Sequence, residues 1–307
     1  MDERLEGEFK RSCPPQQGPL PVAVEVPNFF NNVFHFAVIA DPQLNNGSCS
    51  VHCNESPPFE FVVQTLNRLR PPFIVILGDM THRPENAVQL AEYRRILGLL
   101  DPFIQVMHVA GNHDCHNESL VDHHISGPTP RLIDWYRRTY GPDYYTFRYR
   151  SVFGIVANSS YFLLETENVK TERAAHEQWL LRTLKEAQGS GVDHILVFQH
   201  FPFFLNDVAE SDGYLNVPRK MRERMLDLYG EHGVKGVHSG HIHHNLHREA
   251  NGIRLVSTST CGSILLGDDP HGIRLVYVRG DEIEDEFFSL GNLPWQVPLF
   301  GDKGERL

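Results

Sequence analysis

The sequence predicts an α/β domain to which a later run of strands adds a second sheet. Two observations carry this. Short, wholly apolar segments alternate with segments of helical periodicity from about residue 33 to 239, and each apolar segment stops abruptly at a polar loop. From about residue 253 onward, strand-like segments follow one another with no helix between them. No internal repeat and no linker divides the chain, and 307 residues are enough for a substantial core.

The elements follow in order. Val33 to Ala40 reads as a buried strand that ends at Asp41-Pro42-Gln43. Phe73-Ile74-Val75-Ile76-Leu77 is a second, ending at Gly78-Asp79. A helix is expected from Pro84, a favourable first helical position, with Leu90, Tyr93, Leu97 and Leu100 on one face. Phe103 to Ala110 is a strand that ends at Gly111-Asn112-His113-Asp114. Residues 147–149 and 152–157 read as a hairpin, Arg173 to Gln188 as a helix, and His194 to Phe198 as a strand leading into Gln199-His200. Pro218 to Tyr229 reads as a helix with Met221, Met225 and Leu228 on one side. Val234 to Ser239 is a strand leading into Gly240-His241-Ile242-His243. Strands near 253–260, 272–278 and 283–289 complete the set. The expected organisation is an irregular, proline-containing N-terminal arm (1–32), one domain (33–290) and a C-terminal tail (291–307).

Composition narrows the function. The formal net charge of -11, from 39 acidic and 28 basic residues, disfavours a broad nucleic-acid surface, although bound divalent cations would reverse the sign locally. No apolar run is long enough to span a bilayer, and Met1-Asp2-Glu3-Arg4 does not open an apolar leader. The expectation is therefore a cytoplasmic protein with neither membrane nor nucleic-acid partner. Five cysteines suit a reducing compartment better than a disulfide framework, and Cys49 and Cys53 around His52 read as ordinary loop cysteines, since no second ligand pair follows. Nothing in the sequence sets the oligomeric state.

Asp41, Asp79, Asn112, His200 and the pair His241/His243 all sit where a buried strand gives way to a loop. Strand ends of this kind lie along one edge of an α/β sheet, where ligands bind. Any one of these residues alone reads as a turn or a cap. Together, in order, they make a donor set of carboxylates, an amide oxygen and imidazoles, suited to manganese, iron or zinc without a thiolate. Two metals about 3.5–4 Å apart need a bridging carboxylate, and Asp79 is placed to supply it. Gly78, Gly111 and Gly240 precede these loops and are expected to permit tight turns with unusual backbone angles.

The pieces "ADPQ", "LGDM", "GNHD", "FQH" and "SGHIH" resemble the calcineurin-like metallophosphoesterase superfamily, from about residue 34 to 290. "VFQHFPFFL", "HGVKGVHSGHIHHN" and "DPHGIRLV" look closer to one subgroup, the calcineurin-like phosphoesterase domain-containing protein 1 type of serine/threonine phosphatase. The resemblance implies an αββα sandwich of two mixed sheets flanked by helices. It implies two divalent or mixed-valence metal ions. One is held by Asp41, Asp79 and His243, with Gln43 where histidine is common; the other is held by Asp79, Asn112, His200 and His241. It places His113 beside the metals, with Asp114 orienting its imidazole. Glutamine offers an amide oxygen, fit either to ligate weakly or to hold a metal-bound water.

The implied reaction is phosphomonoester hydrolysis of a phosphorylated protein or small phosphoester, by a metal-bridging hydroxide, with His113 protonating or stabilising the leaving oxygen. A phosphodiesterase on nucleotides or lipid headgroups would use the same metals, and a non-catalytic scaffold would keep only the fold. Substrate contacts have weaker signals. Asn158, His271 and Arg274 lie near strands that either reach the site mouth or face solvent. Arg219, Lys220, Arg222 and Arg224 form a basic helix start, read as a solvated face rather than a phosphoprotein dock. Phe201-Pro202-Phe203-Phe204 is read as core packed under the metals rather than a wall for substrate.

Overall fold

The computed structural model describes residues 10–12, 33–45, 55–116, 127–163, 167–262 and 269–297. Its strands are β1 Lys10–Ser12, β2 Val33–Ile39, β3 Phe73–Ile76, β4 Gln105–His108, β5 Tyr145–Tyr149, β6 Val152–Val156, β7 His194–Phe198, β8 Val234–Ser239, β9 Leu246–Ala250, β10 Ile253–Ser257, β11 Gly272–Arg279 and β12 Glu282–Ser289. Its helices are α1 Ser56–Leu69, α2 Ala87–Leu97, α3 Asn112–Cys115, α4 Pro130–Tyr140, α5 Lys170–Gly189 and α6 Arg219–Glu231.

Both sheets are mixed. The smaller runs β12-β11-β2-β3-β4 and the larger β1-β5-β6-β7-β8-β10-β9. β2, β3 and β4 are mutually parallel, as are β6, β7, β8 and β10, while the outer strands run antiparallel.

The side-chain period of two splits each central strand between two cores. Phe36, Val38, Phe73 and Val75 of the smaller sheet meet Phe147, Val156, Leu196 and Phe198 of the larger in one apolar cluster. Phe73 stacks on Phe36 with centroids 4.7 Å apart and meets Phe147 edge-on at 5.3 Å, so one ring joins the two sheets. The intervening residues, Ala37, Ile39, Ile74, Ile76, Ile155, Ile195 and Val197, belong to the cluster that includes the apolar faces of α1, α5 and α6. Strands buried on both faces explain the unbroken apolar runs in the sequence. Each fully buried Val, Leu, Ile or Phe contributes about 1.5–3 kcal/mol. The expected αββα sandwich is the observed one.

Several elements differ from expectation. Helix α2 starts at Ala87 rather than Pro84, because the Asn86 side chain accepts from Val88 N and Gln89 N, both at 3.1 Å. Its buried residues are Gln89, Tyr93 and Ile96, a stripe offset from the leucines. Helices α1 and α4, each with proline in its first turn, and strand β9 add to the predicted set. Lys10–Ser12, in the stretch expected to be irregular, pairs antiparallel with β5 and extends the larger sheet. A strand of three residues is too short to reveal alternation. Past residue 290, Arg68 of α1 donates to the carbonyls of Pro294 and Trp295, both at 3.1 Å. Cys49, His52 and Cys53 lie outside the described residues.

Candidate metal centre

The parallel strands of the two sheets end side by side, and their ends bring Asp41, Gln43, Asp79, Asn112, His200, His241 and His243 into one buried group. The sheets are tied together there. His200 donates Nδ1–H to the carbonyl of Leu77 in the other sheet at 2.6 Å, and within the larger sheet Gly240 N donates to the carbonyl of His200 at 3.0 Å.

The unusual backbone angles fall on the expected ligands more than on the glycines. Asp41, Gln43, Asp79, His241 and His243 have φ of 49°, 44°, 54°, 68° and 53°, in the left-handed region. Such positions cost on the order of 1 kcal/mol or more each and persist only where the surroundings enforce them. Of the three glycines, Gly78 alone has a positive φ, at 101°. At Gly111 the requirement is room, since a Cβ there would lie 2.1 Å from Asp79 Oδ1.

Asp114 is the enforcer. Its Oδ2 accepts from Asp79 N and Gly111 N, both at 2.8 Å, and its Oδ1 from Met80 N at 3.2 Å. This corrects the role implied for it: Asp114 does not orient the His113 imidazole. His113 instead points Nδ1 at the carbonyl of His82, 2.6 Å away, and its ring stacks on that of His82 with centroids 5.1 Å apart. The physical reason is that three backbone N–H groups at two converging loops need a buried acceptor, and a carboxylate meets all of them. Burial pushes the Asp114 carboxyl up, with the Asp79 charge adding to it, to about 7.

Burial alone would raise Asp79, but the charges of His200 and His113 overcome it and hold this carboxylate below its ordinary range. Burial would likewise lower His200, yet its partner Asp79 lifts it to about 9. His241 is held well below the ordinary imidazole value, first by burial and then by the charge of His200.

His200 and His241 each commit one ring nitrogen outward. His200 uses Nδ1 on Leu77, which leaves Nε2 at 2.8 Å from Asn112 Oδ1 and 3.4 Å from Asp79 Oδ2. His241 donates Nε2–H to the carbonyl of Tyr214 at 2.9 Å, which leaves Nδ1 for the site. Donor atoms of Asp79, His200 and His241 lie within 4.8 Å of one another. At the neighbouring strand ends, His243 Nε2 stands 3.5 Å from Asp41 Oδ1. There Asp41 Oδ1, Gln43 Oε1 and His243 Nδ1 are buried with no hydrogen-bond partner.

Residues 34–245 match the family model described as calcineurin-like phosphoesterase. The chain belongs to that family. The serine/threonine-protein phosphatase CPPED1 of Bos taurus is 34% identical to it over 276 residues, covering 85% of each chain. The protein of the same name from Danio rerio is 34% identical over 276 residues, covering 85% of this chain and 86% of its own. Among solved structures, purple acid phosphatase PPD1 from yellow lupin shares the fold, with a TM-score of 0.64 at 12% identity over 86% of this chain and 53% of its own.

This calcineurin-like phosphoesterase is a metal-dependent phosphoric ester hydrolase, and its family implies a dinuclear divalent metal site. The residues present fit that site. Orphaned, fully buried oxygen and nitrogen atoms cost several kcal/mol unless something pairs with them, and Asp41 Oδ1, Gln43 Oε1 and His243 Nδ1 are such atoms. In the arrangement the family resemblance implies, Asp41, Asp79, His243 and Gln43 would hold one ion and Asp79, Asn112, His200 and His241 the other.

The other expected contacts divide between structural roles and the edge of the site. Asn158 is buried and caps a short turn by accepting from Ser160 N, while its Nδ2 donates to Asp143. Arg274 is fully buried in an ion pair with Asp285 and donates to Asn245 Oδ1 at 2.8 Å. His271 is close enough to His243 to have its value lowered, first by burial and then by that charge, and both its ring nitrogens lack partners. Arg222 is fully buried and holds the carbonyl of Val217, so the basic start of α6 is not one solvated face. Phe201, Phe203 and Phe204 are core, as read, with the Phe201 ring 4.3 Å from that of His241. Two residues at the site had no assigned role in the sequence. His82 follows Asp79 closely enough in "GDMTH" to have been suspected, whereas Tyr214, in the connection before α6, has no local signal.

Proposed function

We propose that the chain is a protein serine/threonine phosphatase that hydrolyses phosphomonoesters with His113 assisting the leaving group. The observation that carries the reading is the cluster of Asp79, His200 and His241 donor atoms within 4.8 Å of one another, together with buried, unpartnered Asp41 Oδ1 and Gln43 Oε1 at the neighbouring strand end. Manganese, iron and zinc suit this donor set. Two divalent cations, when bound, supply positive charge for the phosphoryl oxygens and acidity that activates water. The rest falls to the chain. Asp79 Oδ1 accepts from His113 N at 2.8 Å, which fixes the start of α3 against the shared carboxylate. The carbonyl of His82 takes Nδ1–H of His113, so Nε2, 3.9 Å from Asp79 Oδ2, is the nitrogen that serves the departing oxygen. The phosphatase names of the relatives support a phosphoprotein substrate.

The test is activity of metal-loaded protein on a phosphoserine or phosphothreonine peptide beside a bis-ester, with metal content measured on the same sample. Two metals per chain and preference for the peptide are expected. A clear preference for the diester overturns the substrate, and one metal or none overturns the dinuclear mechanism.

A further inference from the structure

Tyr214 meets two ligands of the second centre at once. Its hydroxyl accepts from Asn112 Nδ2 at 3.2 Å, and its carbonyl accepts from His241 Nε2 at 2.9 Å. Its ring lies against the His241 imidazole, with centroids 4.9 Å apart. The residue comes from the connection between β7 and α6, so it reaches the centre from outside both strand ends that carry those ligands.

An asparagine that ligates through oxygen has a difficulty an aspartate lacks. When Oδ1 faces a cation, the NH2 group points the other way, and in a buried site it needs an acceptor. Asn112 is 1% exposed. Its Oδ1 faces inward, 2.8 Å from His200 Nε2, and Tyr214 Oη receives the NH2 behind it. Without that hydroxyl, the ligating orientation leaves a buried donor unsatisfied, and the penalty falls on metal binding. The carbonyl of Tyr214 works on the other ligand: by taking Nε2–H it leaves His241 Nδ1 as the ligating nitrogen.

The connection is built to hold still. Asn216 Oδ1 accepts from Gly213 N at 3.0 Å and Asp212 Oδ1 from Arg219 N at 2.7 Å, both bonds closing loops that contain Tyr214. Glu210 gathers Leu205 N, Asn206 N and Asn216 Nδ2, and the buried Arg222 grips the carbonyls of Val217 and Val208. A fixed carbonyl and a fixed hydroxyl follow from these bonds.

We infer that Tyr214 is a positioning residue for the second metal centre, holding the Asn112 amide and the His241 ring in their ligating arrangement. The inference rests on the dinuclear reading above and adds a device outside the ligand set. Tyr214→Phe removes the hydroxyl and keeps both ring and carbonyl. In Mn2+ titrations followed by calorimetry, one of the two affinities is expected to weaken by about 10–100-fold, as for other outer-shell partners. The other affinity stays as in the wild type, and the Tm of the metal-free protein falls by no more than the loss of one hydrogen bond, about a few degrees. Saturating Mn2+ restores turnover with KM for the phosphopeptide unchanged. Two unchanged affinities overturn the inference. So does a larger fall in metal-free Tm with both affinities weakened together, the mark of mere loop packing. The wild type separates the two levels of argument: if it binds two ions and cleaves phosphoester while Tyr214→Phe matches it, only the role of Tyr214 fails. A wild type that does neither removes the reading beneath it.

Discussion

His200 Nδ1 lies 2.6 Å from the carbonyl of Leu77, a residue 123 positions earlier and in the other sheet. This one bond pins together the open ends of β3 and β7 and turns Nε2 inward. His243 is different: its Nδ1 has no hydrogen-bond partner, and its Nε2 reaches Asp41 Oδ1 in the other sheet only at 3.5 Å. Metal-free His200→Ala is therefore expected to melt several degrees lower than metal-free His243→Ala, since it loses a buried hydrogen bond as well as packing. Thermal unfolding in chelator measures this, and equal losses would show that the cross-sheet bond adds nothing.

Asp114→Asn tests the reassigned carboxylate. An amide puts an NH2 group among three backbone donors that now share two acceptor oxygens. A loss of about 1–3 kcal/mol in stability is expected, with both loops loosened. If Asp114 acted by orienting His113, turnover would drop while the denaturation midpoint held.

His113→Ala should retain both metals, because its ring takes no place in the donor set, and should lose turnover by about 10²–10⁴-fold. Metal analysis and kcat on the same preparation decide it. Unchanged turnover takes His113 out of the mechanism.

Gln43 accepts φ = 44° and holds a buried, unpartnered Oε1. Histidine tolerates that backbone region better than most residues, so Gln43→His is expected to fold and to bind the first metal more tightly. A competition titration against a chelator measures the change. Unaltered or weakened binding means that Gln43 does not tune the first centre.

Stability against acid has a separate source. His176 is buried among Tyr144, Tyr161, Phe162 and Trp179, and burial, only partly opposed by the charge of Asp143, lowers its value from 6.5 to about 4. Between those two values the unfolded chain binds a proton that the folded chain refuses. Stability is complete above pH 6.5 and falls as the pH drops towards 4, by roughly 3 kcal/mol at most. His176→Phe should flatten the dependence in that window. Denaturant unfolding at a series of pH values reads it directly, and an unchanged slope rules His176 out as its source.

The strand ends were legible because each couples an apolar run to a polar residue within a few positions, and both halves of that signal are local. Gly111 was legible too, though for the wrong reason: it makes room for Asp79, while the ligands themselves carry most of the left-handed angles. What stayed hidden depends on partners far along the chain. Asp114 looked like a helper for its neighbour His113, but its donors Asp79 N and Met80 N lie 35 and 34 residues away. Arg222 looked solvated because Arg219, Lys220 and Arg224 surround it in sequence, yet it alone turns inward. Tyr214 reaches Asn112 across 102 residues. No periodicity records such a contact.

The five left-handed bends at Asp41, Gln43, Asp79, His241 and His243 carry one more consequence. Glycine would sit in every one of them more comfortably than the residue found there. At Asp41 and Asp79, however, glycine would also delete the carboxylates that accept from His241 N and His113 N. At those two bends the strained residue that could hold a metal is also a strut of the fold, so a copy relieved of chemical duty would not be free to shed it.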